Sequence, residues 1–335
     1  MTAGTVERAE TRVWPTWLRR QGWTFGVWLL LLLMMGWYAT LIPKFGGFQV
    51  ASIAKNSLPL VFLAVGQAIV VIAGGIDLSV GAMMVLANSI AARLMFEQPF
   101  VVTVTVALLV IIIGALINSV VGWIITVSRV PDIVVTLATS FILAGVALLV
   151  LPSPGGGTSE GFRAIFTGSG SGSGSNFWPA LVAIAIPVAL AAWWMKGTRT
   201  GLSLYATGSS PTAAYLSGVR VAKAKIISYA AGGGFAALAG LSALAITGSG
   251  ESRIATGGIF TLRSVAAIVL GGVALTGGIG SVVGAAAAGI ILFTLSPILS
   301  AMGIDPNTAQ VVQGLLIVVV MMVAGILELR RQRAG

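Results

Sequence analysis

Residues 100–127 read FVVTVTVALLVIIIGALINSVVGWIITV, an apolar run without an Asp, Glu, Lys or Arg. At about 1.5 Å per residue, a helix of this length exceeds the roughly 30 Å hydrocarbon core of a bilayer. Similar blocks extend on both sides, at roughly 22–41, 57–73, 77–95, 131–151, 177–195, 224–247, 259–276, 279–300 and 309–328. Together they predict an all-α, polytopic integral membrane protein of about ten spans.

Composition agrees. Of 335 residues, 57% are hydrophobic and only 8% charged, against about 25% charged in a soluble domain. There is no cysteine and no histidine. Disulfide scaffolds, thiol catalysis, haem and iron–sulfur ligation and ordinary zinc sites are excluded. The net charge of +10 sits mostly in loops and tails, where topology and anionic lipid explain it better than nucleic acid does. The first block is full length and lacks a small-residue cleavage site, so it reads as a retained span rather than a signal peptide.

Charge asymmetry orients the spans. With both termini cytoplasmic, the inside receives Arg8, Arg12, Arg19, Arg20, Arg129, Lys196, Arg199, Arg220, Lys223, Lys225, Arg330, Arg331 and Arg333. The outside receives Lys44, Lys55, Arg163 and Arg253, with Arg93 and Arg263 near outer helix ends. The excess inside favours an even number of spans. Residues 1–21 and 329–335 are then cytoplasmic tails flanking a membrane domain at 22–328. Trp14, Trp17, Trp23 and Trp37, with Trp178, Trp193 and Trp194, bracket span ends as interfacial anchors.

Two loops stand out. Outside, 152–176 carries a Gly/Ser run at 168–175 and reads as a flexible connector or as a surface for a periplasmic partner. Inside, 196–225 contains a short helix over Ser209 to Ser217, with Ser210 as cap, Pro211 at the first helical position and Gly218 ending it. Such a helix either rests on lipid headgroups or transmits force from a cytoplasmic partner.

Within the spans, Gly74-Gly75-Ile76-Asp77-Leu78-Ser79-Val80-Gly81 permits a helix break, with Asp77 as helix cap or as gate. The string at 277–285, GGIGSVVGA, matches 74–82 at Gly74, Gly75, Ile76, Val80, Gly81 and Ala82, an internal repeat. Six spans separate the two strings, which implies a parallel sense if the span count is right. Gln67, Asn88, Asn118, Thr136, Thr139 and Ser140 either bond neighbouring helices or line an uncharged path. Gly232, Ala236 and Gly240, like Gly280, Gly284 and Ala288, form small-residue packing faces. No phosphate-binding Gly-x-x-x-x-Gly-Lys-Ser/Thr loop is present. Acidic groups in the spans are nearly limited to Asp77 and Asp132, so coupling energy is expected from another subunit.

The string GGIDLSVG at 74–81 resembles the signature of the ribose/xylose/arabinose-type sugar ABC-importer permeases. The resemblance covers most of the chain. It includes Tyr205-Ala-Thr-Gly208, Ala213-Ala214, Ser217-Gly218-Val219, the segment Ala266 to Gly272, Gly277-Gly278 and Gln313-Gly314. It implies a type II importer fold and a membrane subunit for a monosaccharide or polyol, working by alternating access. Partners would be ATPase subunits, a second permease, identical or paralogous, and a periplasmic or lipid-anchored sugar-binding protein. The chain would hold no cofactor, since ATP and magnesium bind the ATPase. Gly208, Ser209, Ser210, Pro211, Ala213, Ala214, Ser217 and Gly218 would form the ATPase-coupling segment. Gln67, Gly74, Gly75, Asp77, Ser79, Asn88, Asn118, Thr136, Gly277 and Gly278 are the candidates for pathway or gate. An amino-acid ABC permease and an ion-coupled carrier are the alternatives. The chain departs from the family at Thr261-Leu262-Arg263, where Glu-Leu-Asp is frequent, and at Pro131-Asp132-Ile133-Val134, where Pro-Ala-Phe-Ile is frequent.

Overall fold

The computed structural model describes residues 16–168, 176–305, 307–315, 318, 319 and 322. Named helices are α1 (Thr16–Leu41), α2 (Gly47–Ile72), α3 (Val80–Leu94), α4 (Phe100–Ser128), α5 (Asp132–Val150), α6 (Glu160–Thr167), α7 (Trp178–Gly197), α8 (Arg199–Ser209), α9 (Pro211–Leu216), α10 (Val221–Thr247), α11 (Ile254–Leu270) and α12 (Val282–Ala301). Residues 307–315 are also helical. Seven helices among the described residues are long and apolar enough to cross a membrane. The expected third and eighth spans are the short apolar helices α3 and α11, because glycine-rich breaks cut them. Half of the expected last span, residues 1–15, the C-terminal tail and the Gly/Ser run over 169–175 lie outside the described residues, whereas residues 16–21, expected in the N-terminal tail, belong to α1.

α2 is the axis of the fold. Its most apolar stretch is 89% buried, against 17% for α1 and 28% for α4 and α7. α10, α12, α11 and α7 surround it. The packing is close because facing residues are small. A Cβ at Gly233 would lie 2.2 Å from the Gly114 carbonyl oxygen of α4, and one at Gly240 would lie 2.3 Å from that of Met84 in α3. Of the expected small face of α10, Gly240 thus packs on α3, and a Cβ at Gly232 would lie 2.8 Å from Val70 of α2. Gly284 does the same against the carbonyl oxygen of Gly271 (2.3 Å), but Gly280 lies in the break before α12, not on that face.

At one end of the bundle the connections 151–159 and 248–253 meet, with Gly155 and Gly250 exchanging backbone hydrogen bonds beside the end of α3. The loop expected to be a flexible connector over 152–176 contains α6. Ser159 accepts from the Phe162 N–H at its start, Phe162 and Phe166 are buried, and Arg163 Nε donates to Ala245 O at 3.0 Å. The opposite end gathers the breaks 73–79 and 271–281 with α8 and α9. Both strings of the repeat lie at that end, and each leads into a helix rising toward the other, so they run in the same sense.

Candidate functional site

The first break is organised by a buried carboxylate. Asp77 is fully buried, and its Oδ1 accepts from the Ser79 N–H at 2.7 Å and the Ser79 hydroxyl at 2.5 Å. Asn118 Nδ2 of α4 donates to Oδ2 at 3.0 Å. Asp77 does not cap α3. Ser79 occupies the N-cap position and its side chain makes no cap bond, so the carboxylate fixes the turn ahead of the helix instead. Thr136 of α5 accepts from the Leu78 N–H at 3.1 Å, with Ile76 O at 3.3 Å. Asp77, Ser79, Asn118 and Thr136 thus form one cluster.

Three residues that the sequence reading did not join complete it. The Tyr229 hydroxyl donates to Asp132 Oδ2 at 2.9 Å and lies 3.2 Å from Ile76 O. Lys225 Nζ pairs with Asp132 Oδ1 at 2.7 Å. Lys225 and Tyr229 stand four apart on α10 and therefore share a face. That spacing was a usable signal, but which face meets the start of α5 is a tertiary fact.

The second break is built from backbone. Gly277 and Gly278 have φ of 89° and 73°, the left-handed region that favours glycine. The Gly278 N–H donates to Ile72 O at 2.9 Å, so the two breaks are hydrogen-bonded to each other. Gly208 of α8 is wedged at that joint. A Cβ on Gly208 would lie 1.9 Å from Ile72 O and 2.6 Å from the Gly278 nitrogen, and one on Gly277 would lie 3.0 Å from the Gly74 Cα. Tyr205, one turn earlier in α8, donates to Gly280 O at 3.0 Å. Burial pushes the Tyr205 phenol above its ordinary pKa, so it remains a donor.

From this joint the chain enters α9. Ser210 accepts from the Ala213 N–H at 3.3 Å and Pro211 opens the helix, both as the sequence implies. Gly218 (φ 83°) ends it, with its N–H donating to Tyr215 O and the Val219 N–H to Ala214 O, each at 2.9 Å. The helix is shorter than expected because Ser209 ends α8. Ala214 is buried, whereas Tyr215 and Leu216 are 72% and 80% exposed. The outward apolar surface is theirs.

The remaining candidates stand apart. Asn88 ties α3 to α10 and to the connection 248–253, with Nδ2 donating to Gly240 O at 3.1 Å and Oδ1 accepting from the Glu251 N–H at 2.7 Å. Gln67 is buried in α2 with no hydrogen-bond partner on either side-chain atom among the described residues. A cavity of about 330 Å³ opens beside Leu78, between α3, α5 and α11. Its walls are mainly apolar, with hydroxyls from Ser140 and Thr261, and neither Gln67, Asn88 nor Asn118 lines it. Arg263, expected near an outer helix end, lies in the middle of α11, because that helix begins earlier than the expected span. Among the described residues no group of three or more acidic residues could hold a metal ion.

Residues 49–321 match the family model described as branched-chain amino acid transport system / permease component. Among similar proteins, the ribose import permease protein RbsC of Escherichia coli K12 is 33% identical over 88% of this chain and 91% of its own length. The galactose/methyl galactoside import permease protein MglC of Salmonella typhimurium is 30% identical over 90% and 93% respectively. The probable ABC transporter permease protein y4mJ of Sinorhizobium fredii is 28% identical over 91% and 89%. No solved structure matches the chain. The chain belongs to this family of transport-system permease components.

Proposed function

We propose that this permease carries a monosaccharide or related polyhydroxylated solute inward, driven by a separate ATPase docked on α9. The observation that carries this reading is the continuous path of contact at one end of the bundle. Tyr215 and Leu216 face outward on α9, and α8 behind them wedges Gly208 against both breaks. A displacement of α9 is passed to backbone that starts both α3 and α12. Close-packed backbone has no side-chain rotamers to absorb such a shift. α3 and α11 would then move along the cavity at Leu78, alternating its access between the two membrane faces. A second permease would close the open side of that cavity, and a sugar-binding protein would deliver solute at the end carrying α6.

The names of the relatives support a sugar over an amino acid. Lys196, Arg199, Arg220, Lys223 and Lys225 cluster around α8 and α9, which supports a cytoplasmic placement of that end. Both termini would then be cytoplasmic, in a bacterial inner membrane. No bond chemistry is assigned to the chain, and ATP with its magnesium would bind the partner.

The test is co-purification and ATP-dependent uptake in proteoliposomes with the ATPase. Tyr215→Asp with Leu216→Asp should release the ATPase and abolish uptake while the permease still inserts and melts normally. Undiminished ATPase binding and uptake would remove α9 as the docking element. An ion-coupled carrier is favoured only by the buried Asp77 carboxylate. Uptake driven by a pH gradient without any ATPase would establish that reading instead.

A further inference from the structure

Arg263 is a charge in the middle of an apolar helix, and the cluster around Asp77 does not use it. Its Nη2 donates to Gln313 Oε1 at 2.7 Å. No carboxylate pairs with it among the described residues, where the ion pairs are Lys225–Asp132 and Arg253–Glu251. An ionised side chain within a membrane-spanning segment is costly and marks a functional site. The guanidinium carries five N–H donors, and one of them is accounted for.

The group lines a cavity of about 300 Å³. Thr256, Ile259 and Phe260 on α11, Ser296 on α12 and Gln310 complete its walls. All of these lie toward the end that carries 248–253 and the start of helix 307–315, the end opposite α8 and α9. Arg263 and Gln313 are therefore the floor of this open cavity, the part of its lining farthest from that end. The floor is about 13 Å along α11 from its first residue. A helical side chain leans toward the helix N-terminus, which points the guanidinium toward that end. The lining is polar on several sides and offers donors, with no acidic group among its residues.

We propose that the Arg263–Gln313 cavity is an oxyanion site, taking a carboxylate or phosphate group that enters from the end opposite α8 and α9. The planar guanidinium fork matches either group in a bidentate way. The volume is at the lower limit of ordinary small-molecule sites, enough for a small organic acid. The same chemistry belongs to an anionic lipid headgroup, which would have to reach below the interface to meet the floor. The site stands on its own geometry and does not depend on how transport is energised.

The experiment uses the full chain in phosphatidylcholine nanodiscs, titrated with galacturonate and with neutral galactose, reading the melting temperature. Galacturonate should stabilise the wild type saturably, and any effect of galactose should be the same in wild type and Arg263→Gln. Arg263→Gln should weaken the acid at least tenfold, and Arg263→Lys, which keeps charge but loses the fork, should fall between. Gln310→Glu, at the exposed mouth, should repel the acid to a similar degree without threatening the fold. In a parallel arm phosphatidylglycerol replaces phosphatidylcholine and no acid is added. Stabilisation of wild type but not Arg263→Gln in that arm alone identifies the lipid phosphate as the occupant of the same site. If Arg263→Gln and Gln310→Glu respond like wild type to both probes, the proposal is overturned.

Discussion

The two breaks carry nearly the same sequence and are held by different means. In the first, the Asp77 carboxylate gathers the turn, and side chains from α4, α5 and α10 close around it. In the second, Gly280 stands where Asp77 would, and the turn closes on backbone hydrogen bonds such as Ala274 N–H to Ile279 O. The difference follows from surroundings. The first break is enclosed by helices, so its polar backbone needs partners from side chains. The second rests against α8, which offers a glycine surface and the Tyr205 hydroxyl. One string is anchored to the membrane bundle and the other to the segment that leads into α9.

Substitutions at four positions test this contrast, the largest effect first. Asp77→Leu strips acceptors from the Ser79 N–H, the Ser79 hydroxyl and Asn118. It should cost about 3–5 kcal/mol, since each orphaned buried donor costs roughly 1–3 kcal/mol. Asp77→Asn keeps one oxygen and should cost about half as much. Equal melting temperatures for the two variants would break the claim that the carboxylate organises the turn. Gly208→Ala comes next. The new Cβ collides with backbone of both breaks, an overpacking worth about 2–3 kcal/mol. ATP-driven uptake should fall further than stability does, because the joint itself is displaced. Intact uptake would show that the joint transmits nothing.

Gly280→Asp asks whether a carboxylate can be transplanted. The backbone there has φ of 153°, and a Cβ would lie 2.9 Å from Val273 Cγ2. The variant should lose about 1–2 kcal/mol, read as a lower melting temperature. A gain in stability would mean that the two breaks are interchangeable. Tyr205→Phe removes one hydrogen bond to the second break and should cost about 1 kcal/mol. Asp77 variants and Tyr205→Phe should be additive in melting temperature, since they act on separate anchors. Strong coupling between them would merge the two breaks into one unit.

Much of this was legible in the amino-acid order. Long apolar runs mark seven of the expected spans by length, those of α1, α2, α4, α5, α7, α10 and α12, and the caps of α9 follow from Ser210, Pro211 and Gly218. The breaks are written in paired glycines. What the order does not show is which distant surfaces meet. Gly208 is one glycine among many until α8 places it between Ile72 and Gly278. Asp132, Lys225 and Tyr229 lie on two helices whose relative rotation no local pattern encodes. Arg263 was read near a helix end because the true start of α11 lies among glycines and polar residues rather than at an apolar edge. α6 was missed because eight residues in a glycine-rich connection carry too little periodicity to stand out.

The enclosure of α2 has a consequence for how the chain is made. α10 and α12, which wrap much of it, are synthesised long after it, with α12 more than two hundred residues downstream. At roughly 5–20 residues per second, α2 waits for tens of seconds before its last neighbour exists. During that wait the side of α2 at Val61, which Gly289 of α12 comes to cover, lies in lipid or against the insertion machinery, whereas the face around Gly66 is closed earlier by Gly232 and Phe235 of α10. The order of synthesis thus leaves one side of α2 open until the last of its neighbours is made. A chaperone or insertase that shelters α2 until α12 arrives would govern yield, even though it leaves no trace in the finished bundle.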